Sequence, residues 1–252
     1  MTTEPFARGG YRYIPGPFQY SAGVVAESGH AIERVSFRAP LPLPQGFARI
    51  AAMLSARGRP LTAFCACELR SPAPMSDAGF RAFNETYVAQ LAQWGIYDDA
   101  AKRNPVARSN VCPKLHAPGE PSLHAFSFTV TAAGSMPTFV VAGSGEARED
   151  GVDYRRRTIR YGETGPDAMR EKASYVLAEM ERRLRCLGVA WADTSATQVY
   201  TVHELHPIYA EAIADSGAAH AGLTWHLARP PVEGLEFEMD CRGVAAEHFV
   251  SH

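Results

Sequence analysis

The segment NPVARSNVCPKLH (residues 104–116) sets Arg108 inside what otherwise reads as a strand of small and apolar residues. A buried, unpaired guanidinium is costly, so this side chain either turns outward or meets an anion. Strand alternation puts Asn110 and Cys112 on its face and Ser109 and Val111 on the other. A polar row on one strand face is what a ligand cleft needs. The planar five-donor fork suits a carboxylate, which a substrate or a structural acid across an interface could supply.

Working outward, the pattern before this segment is strand, strand, helix, strand, helix. FQYSAGVVAES (18–28) and AIERVSFRA (31–39) read as strands. Residues 45–57 carry Phe47, Ile50, Ala51 and Leu54 on one helical face, ended by Gly58. PLTAFCACELR (60–70) is strand-like. The next helix opens on Ser76-Asp77 and places Phe80, Phe83, Tyr87 and Leu91 at helical spacing. SLHAFSFTV (122–130) is a further strand. A similar order then restarts with PTFVVAGSG (137–145), VDYRRRTIRYG (152–162), a long helix over 165–188, ATQVYTVHEL (196–205), a short helix over 207–217, AGLTWHLA (221–228) and LEFEMDCRGV (235–244). Two runs of the same element order argue for two copies of one α+β unit, each a mixed sheet with two helices on one face. The units are expected at 1–133 and 134–252, joined through TAAGSMP (131–137).

The 252 residues are 46% apolar, and 25 basic residues balance 27 acidic ones for a net charge of −2. That balance points to neither nucleic acid nor an anionic membrane as the main partner. The basic run YRRRTIR (154–160) after the acidic EARED (146–150) reads as a solvated hairpin, with an anion-binding patch as the alternative. Five cysteines without regular spacing make no disulfide framework. No signal-like N-terminus and no long apolar run is present, so a cytoplasmic protein is expected.

Several segments resemble the RidA superfamily of reactive enamine/imine deaminases. YSAGVVA is similar to that family's early strand with a Ser-Gly turn, FNETYVAQL to its second helix, and NPVARSNV to the segment whose arginine binds the substrate carboxylate. LEFEMDCRGV is similar to its final strand, whose second glutamate orients the hydrolytic water. Two fused copies resemble the layout of chorismatases. The resemblance implies a chorismate-mutase-like fold in tandem, no cofactor and no metal, and self-association, with a homotrimer favoured. It also implies release of ammonia from a small carboxylated enamine or imine, of the kind met in aromatic-compound catabolism. The copies are unequal: the glutamate position of the first falls on Phe126, and the arginine position of the second on Gly222. Arg108 and Glu238 are therefore expected to share one reaction from different copies. A chorismatase-like reaction on a cyclic enol ether, or carboxylate binding without catalysis, is the alternative.

In LEFEMDC, Glu236, Glu238 and Asp240 share one face, opposite Leu235, Phe237, Met239 and Cys241. Like charges and burial both raise a carboxyl pKa, which suits Glu238 for proton transfer; a solvated acidic edge is the bland reading. Asn110, Cys112, His124, Thr224 and His226 are the candidate substrate contacts, the histidines being equally readable as satisfied structural residues. VHELH (202–206) lacks the spacing of a helical zinc motif. CAC (65–67) is expected to put both sulfurs on one strand face as a core pair.

Overall fold

Two amphipathic patterns fix where the helices lie. The computed structural model describes residues 2–134, 136–148 and 153–251. The strands and helices in chain order are β1 (Glu4–Phe6), β2 (Tyr11–Ile14), β3 (Gly23–Ala26), β4 (His30–Pro42), α1 (Leu43–Ala56), β5 (Phe64–Arg70), α2 (Asp77–Gln93), β6 (Ala107–Pro113), β7 (Ser122–Thr131) and β8 (Phe139–Gly145). They continue with α3 (Tyr154–Arg157), α4 (Pro166–Leu187), β9 (Ala196–Tyr200), β10 (Thr224–His226), β11 (Ala228–Arg229), β12 (Glu238–Gly243) and β13 (Ala246–Val250). A short helical stretch also covers 206–214. α2 starts where Ser76 accepts the Gly79 amide and Asp77 meets the positive end of the helix dipole. α4 opens on Pro166 and stops at Gly188, whose φ of 76° is the left-handed C-cap conformation that glycine adopts without strain.

Phe47, Ile50 and Leu54 of α1 and Tyr87, Val88 and Leu91 of α2 pack with Val35, Phe64, Leu69, Phe126 and Phe128 on one sheet. Ala173, Val176, Met180 and Leu184 of α4 pack with Val141, Val199, Phe237, Met239 and Cys241 on the other. The inner faces meet through Tyr11, Val24 and Ala142 on one side and Ile32, Cys65, Ala66 and Ala107 on the other. The result is α+β: two mixed sheets face to face, with helices outside.

The seven-stranded sheet runs β1-β2-β3-β8-β12-β9-β10 and the six-stranded sheet β11-β6-β5-β7-β4-β13. Strand pairing crosses residue 134 in both directions. β3 pairs with β8, setting Gly23 opposite Val141. β13 lies parallel to β4, and β11 pairs with β6. Residues before 134 thus complete the sheet of the C-terminal part, and residues after it complete the other.

Three sequence readings change. The expected strand over 152–162 is a one-turn helix at Tyr154–Arg157 in its described part, because Asp153 caps it by accepting the Arg156 amide. Cys65 and Cys67 face opposite ways, into the inter-sheet layer and the α2 core respectively. A register shift between Phe64 and Ala66 breaks the alternation there. β1, β2 and β13 are strands that the sequence pattern did not assign. In the described residues no helix is long and apolar enough to cross a membrane.

A buried ion pair ties the elements together near the end of β8. Lys172 of α4 donates to Glu146 at 3.1 Å and to the Ile159 carbonyl at 2.8 Å, and both charged side chains are fully buried. Glu146 also accepts the backbone amides of Glu236 and Phe237, just before β12. Removing one partner strands the other charge in the core. Glu146→Ala is therefore expected to lower unfolding free energy by about 3–5 kcal/mol, read from urea denaturation.

Candidate active site

Arg108 turns inward. It is 3% exposed, and its Nη1 donates to the Asn84 Oδ1 of α2 at 2.6 Å. Its guanidinium carbon lies 4.8 Å from the Tyr87 ring centre, 5.3 Å from Tyr20, 5.6 Å from Phe83 and 5.7 Å from Phe80. Four ring faces stabilise a cation and keep water away without neutralising it. Among the described residues no carboxylate forms an ion pair with it.

Ser109, the next residue, faces the other sheet, as alternation requires. Its hydroxyl donates to Asp240 of β12 at 2.5 Å. Gln198 and the Tyr200 hydroxyl donate to the same carboxylate at 2.8 and 2.9 Å. Two residues away, Glu238 is 5% exposed on the same face of β12. Glu238 and Asp240 are thus buried between the sheets, while Glu236 is half-buried and pairs with His203 and Arg229. Burial raises the Glu238 carboxyl, the Asp240 charge adds to this, and Arg108 opposes it, leaving a pKa of about 8. At neutral pH Glu238 holds a proton.

Gly143 makes room for this acid. Between Val141 and Ser144, β8 has one more residue than the facing stretch of β12 from Cys241 to Met239, a bulge at 142–143. A Cβ on Gly143 would lie 2.1 Å from Glu238 Oε1. Arg183 of α4 donates to the Ala142 carbonyl at 3.2 Å and to Glu179 at 2.7 Å, fixing the bulge from behind.

Arg108, Asn110 and Glu238 line one cleft of about 400 Å³, together with Tyr20, Phe80, Gly143, Tyr154, Arg148, Arg157 and Arg183. Glu238 is the one carboxylate among its described lining residues. Asn110 accepts from Ser71 at 2.9 Å, while its buried Nδ2 has no hydrogen-bond partner. A buried amide donor without a partner is costly unless a ligand accepts from it.

A family model described as 2-aminomuconate deaminase CnbZ matches residues 3–248. The chain is 50% identical over 244 residues to the 2-amino-5-chloromuconate deaminase of Comamonas testosteroni, covering 96% of each protein. The chain belongs to the CnbZ family. Among solved structures, a chorismatase is 14% identical with a TM-score of 0.42, the match covering 97% of this chain and 80% of that one. The YjgF gene product of E. coli is 15% identical with a TM-score of 0.32, over 43% of this chain and 80% of that one.

Within this CnbZ-family chain, the cleft brings together three of the residues singled out from sequence: Arg108, Asn110 and Glu238. The other four are outside its lining. Cys112 is buried beside β11, and burial pushes its thiol up to about 12, so it stays protonated. Thr224 is exposed on edge strand β10. His226 stacks on Tyr200 at 4.9 Å and bonds to Gln198 at 3.1 Å. Burial and the nearby Arg70 lower His226 to about 4 and His124 to about 3, so both are neutral. These histidines adjoin a buried cluster in which Arg34 meets Glu68 at 2.7 Å. In VHELH, His203 pairs with Glu236 at 2.8 Å and His206 with Glu204. Sequence reading missed Tyr20, Gly143, Tyr154, Arg148, Arg157 and Arg183. The one signal was the run YRRRTIR, read as a solvated hairpin with an anion-binding patch as the alternative.

Glu238 makes stability depend on pH. An ordinary carboxyl near 4.5 is ionised in the unfolded chain well before the folded one, near 8, releases its proton. The folded state therefore binds the extra proton between these values, and this group's stabilisation is lost as pH rises through about 8. Glu238→Gln should remove the effect. Urea unfolding at pH 5, 7 and 9 should show the variant gaining stability relative to wild type as pH rises; a constant difference would contradict the assignment.

Proposed function

We propose that the protein is a hydrolytic deaminase of a small carboxylated enamine or imine of the 2-aminomuconate type. The observation that carries this is the pairing, in one cleft, of a buried guanidinium lacking a carboxylate partner with a buried acid that is protonated at neutral pH. These groups match the two needs of the reaction. One holds a substrate carboxylate, and the other moves protons at the adjacent carbon and nitrogen.

In this reading Arg108 binds the carboxylate next to the amino-bearing carbon, inside its aromatic box, and the Asn110 amide donates to the same ligand. Neutral Glu238 gives its proton to the enamine carbon, producing an iminium and a carboxylate. The carboxylate then takes a proton from water as the oxygen bonds to the iminium carbon. The same proton passes to nitrogen, the C–N bond breaks, and ammonia leaves. The hydroxyl oxygen yields its proton as the C=O bond forms. The sum is enamine plus water to ketone plus ammonia, with Glu238 restored by the end. Its pKa near 8 suits both directions of transfer near neutral pH.

The cytoplasmic setting and the trimer belong to this proposal as well. Exposed Phe249, Leu227 and Trp225 at the strand edges support self-association.

Ammonia release from 2-aminomuconate tests the reading. Arg108→Ala is expected to lower kcat/KM by about 30-fold or more, since truncating a buried charge contact costs about 2–5 kcal/mol. Glu238→Gln is expected to lower kcat by about 10²–10⁴-fold with a smaller effect on KM. Unchanged rates in both variants would refute the assignment.

A further inference from the structure

The cleft holds more positive charge than one carboxylate needs. Beyond Arg108, its wall carries Arg148 and Arg157 as well as Arg183. Arg183 is committed to Glu179 and the β8 carbonyls, so it belongs to the framework. Arg148 and Arg157 differ. Among the described residues neither is in an ion pair with a carboxylate. Arg157 Nη1 donates to the Arg148 carbonyl at 3.1 Å, and its buried Nε has no hydrogen-bond partner.

The path from Arg108 to this pair runs along an aromatic wall. Arg108 lies 5.7 Å from the Phe80 ring centre. Phe80 meets Tyr154 edge-on at 6.3 Å. The Arg157 guanidinium sits 3.8 Å from the Tyr154 ring centre. Exposure rises along the same path, from buried Arg108 through half-buried Arg157 to exposed Arg148. The cleft therefore has a cation at its closed end and a second cationic position at its mouth, with apolar rings between them. Glu238 lies at the inner end beside Gly143.

We propose that Arg157 and Arg148 form a second carboxylate subsite, which selects an unsaturated dicarboxylate whose planar chain lies along Phe80 and Tyr154. This rests on the deaminase reading for the reaction but not for binding. The inner carboxylate meets Arg108, and the distal one meets Arg157, held in place by stacking on Tyr154, with Arg148 completing the charge. A monocarboxylate of similar length would leave the outer pair unused. The two arginines are specificity residues and take no part in proton transfer.

Paired ligands test the subsite without turnover. Muconate and sorbate share a six-carbon diene and differ in having two carboxylates or one. Calorimetry on the full chain should show muconate binding about tenfold or more tightly than sorbate, the size of one charge-assisted contact. In the Arg148→Gln, Arg157→Gln double variant this ratio should fall to within about twofold, with sorbate affinity kept. Equal affinities in wild type would overturn the proposal. So would a variant that keeps the preference, or one that loses both ligands alike, which would mark the pair as structural. Ammonia release separates the two readings: a muconate preference abolished by the double variant supports the subsite even if wild type releases no ammonia from 2-aminomuconate.

Discussion

The hydrogen bond from Ser109 to Asp240, 2.5 Å long and buried, sets the site. It joins β6 of one sheet to β12 of the other at the point where each carries a functional group. Arg108 is the residue before the donor, and Glu238 lies two residues before the acceptor on the same strand face. Gln198 and Tyr200 donate to the same carboxylate, so Asp240 is held from the neighbouring strand as well. A buried carboxylate with three donors is stable in one arrangement, because any shift of register would leave donors or acceptor unsatisfied. Arg108 and Glu238 therefore line one cleft although they lie 130 positions apart in sequence.

Burial then gives the two groups different charge states. The rings of Tyr20, Phe80, Phe83 and Tyr87 shelter the Arg108 guanidinium without supplying a counter-charge. Glu238 responds to the same low-polarity surroundings by holding its proton, an effect strengthened by Asp240. An ionised Glu238 could have neutralised Arg108 and closed the site electrostatically. A neutral one leaves the cation for a ligand and remains available as an acid.

Much of this was legible residue by residue. An arginine among small apolar residues, an amide two positions on, and an acidic row opposite an apolar one each follow from strand alternation, and all three faced as alternation requires. Alternation says which way a side chain points but not how far along the strand the cleft extends. Cys112 shares the face of Arg108 yet lies beyond the lining, under β11. His124 and His226 sit in a separate charged layer with Glu68 and Arg70, where burial keeps them neutral. Bulges defeat the pattern altogether: one splits Cys65 from Cys67, and another opens the space at Gly143 that Glu238 occupies. The segments that hold Arg148 and Arg157 stayed open between a solvated hairpin and an anion-binding patch, because charged residues look the same in sequence whether they face bulk water or the mouth of a cleft.

The sequence by itself determined the α+β class and the helices over α1, α2 and α4, and it singled out Arg108 and Glu238 as the candidate pair. These depend on local periodicity and on the cost of burying charge, and both are written in the order of residues. Only the tertiary structure decided that strands cross between the two sheets, that Arg108 and Glu238 share a cleft, and that Arg148, Arg157 and Tyr154 extend it. Those outcomes depend on register between strands distant in sequence, set by hydrogen bonds such as Ser109 to Asp240 that no local pattern encodes.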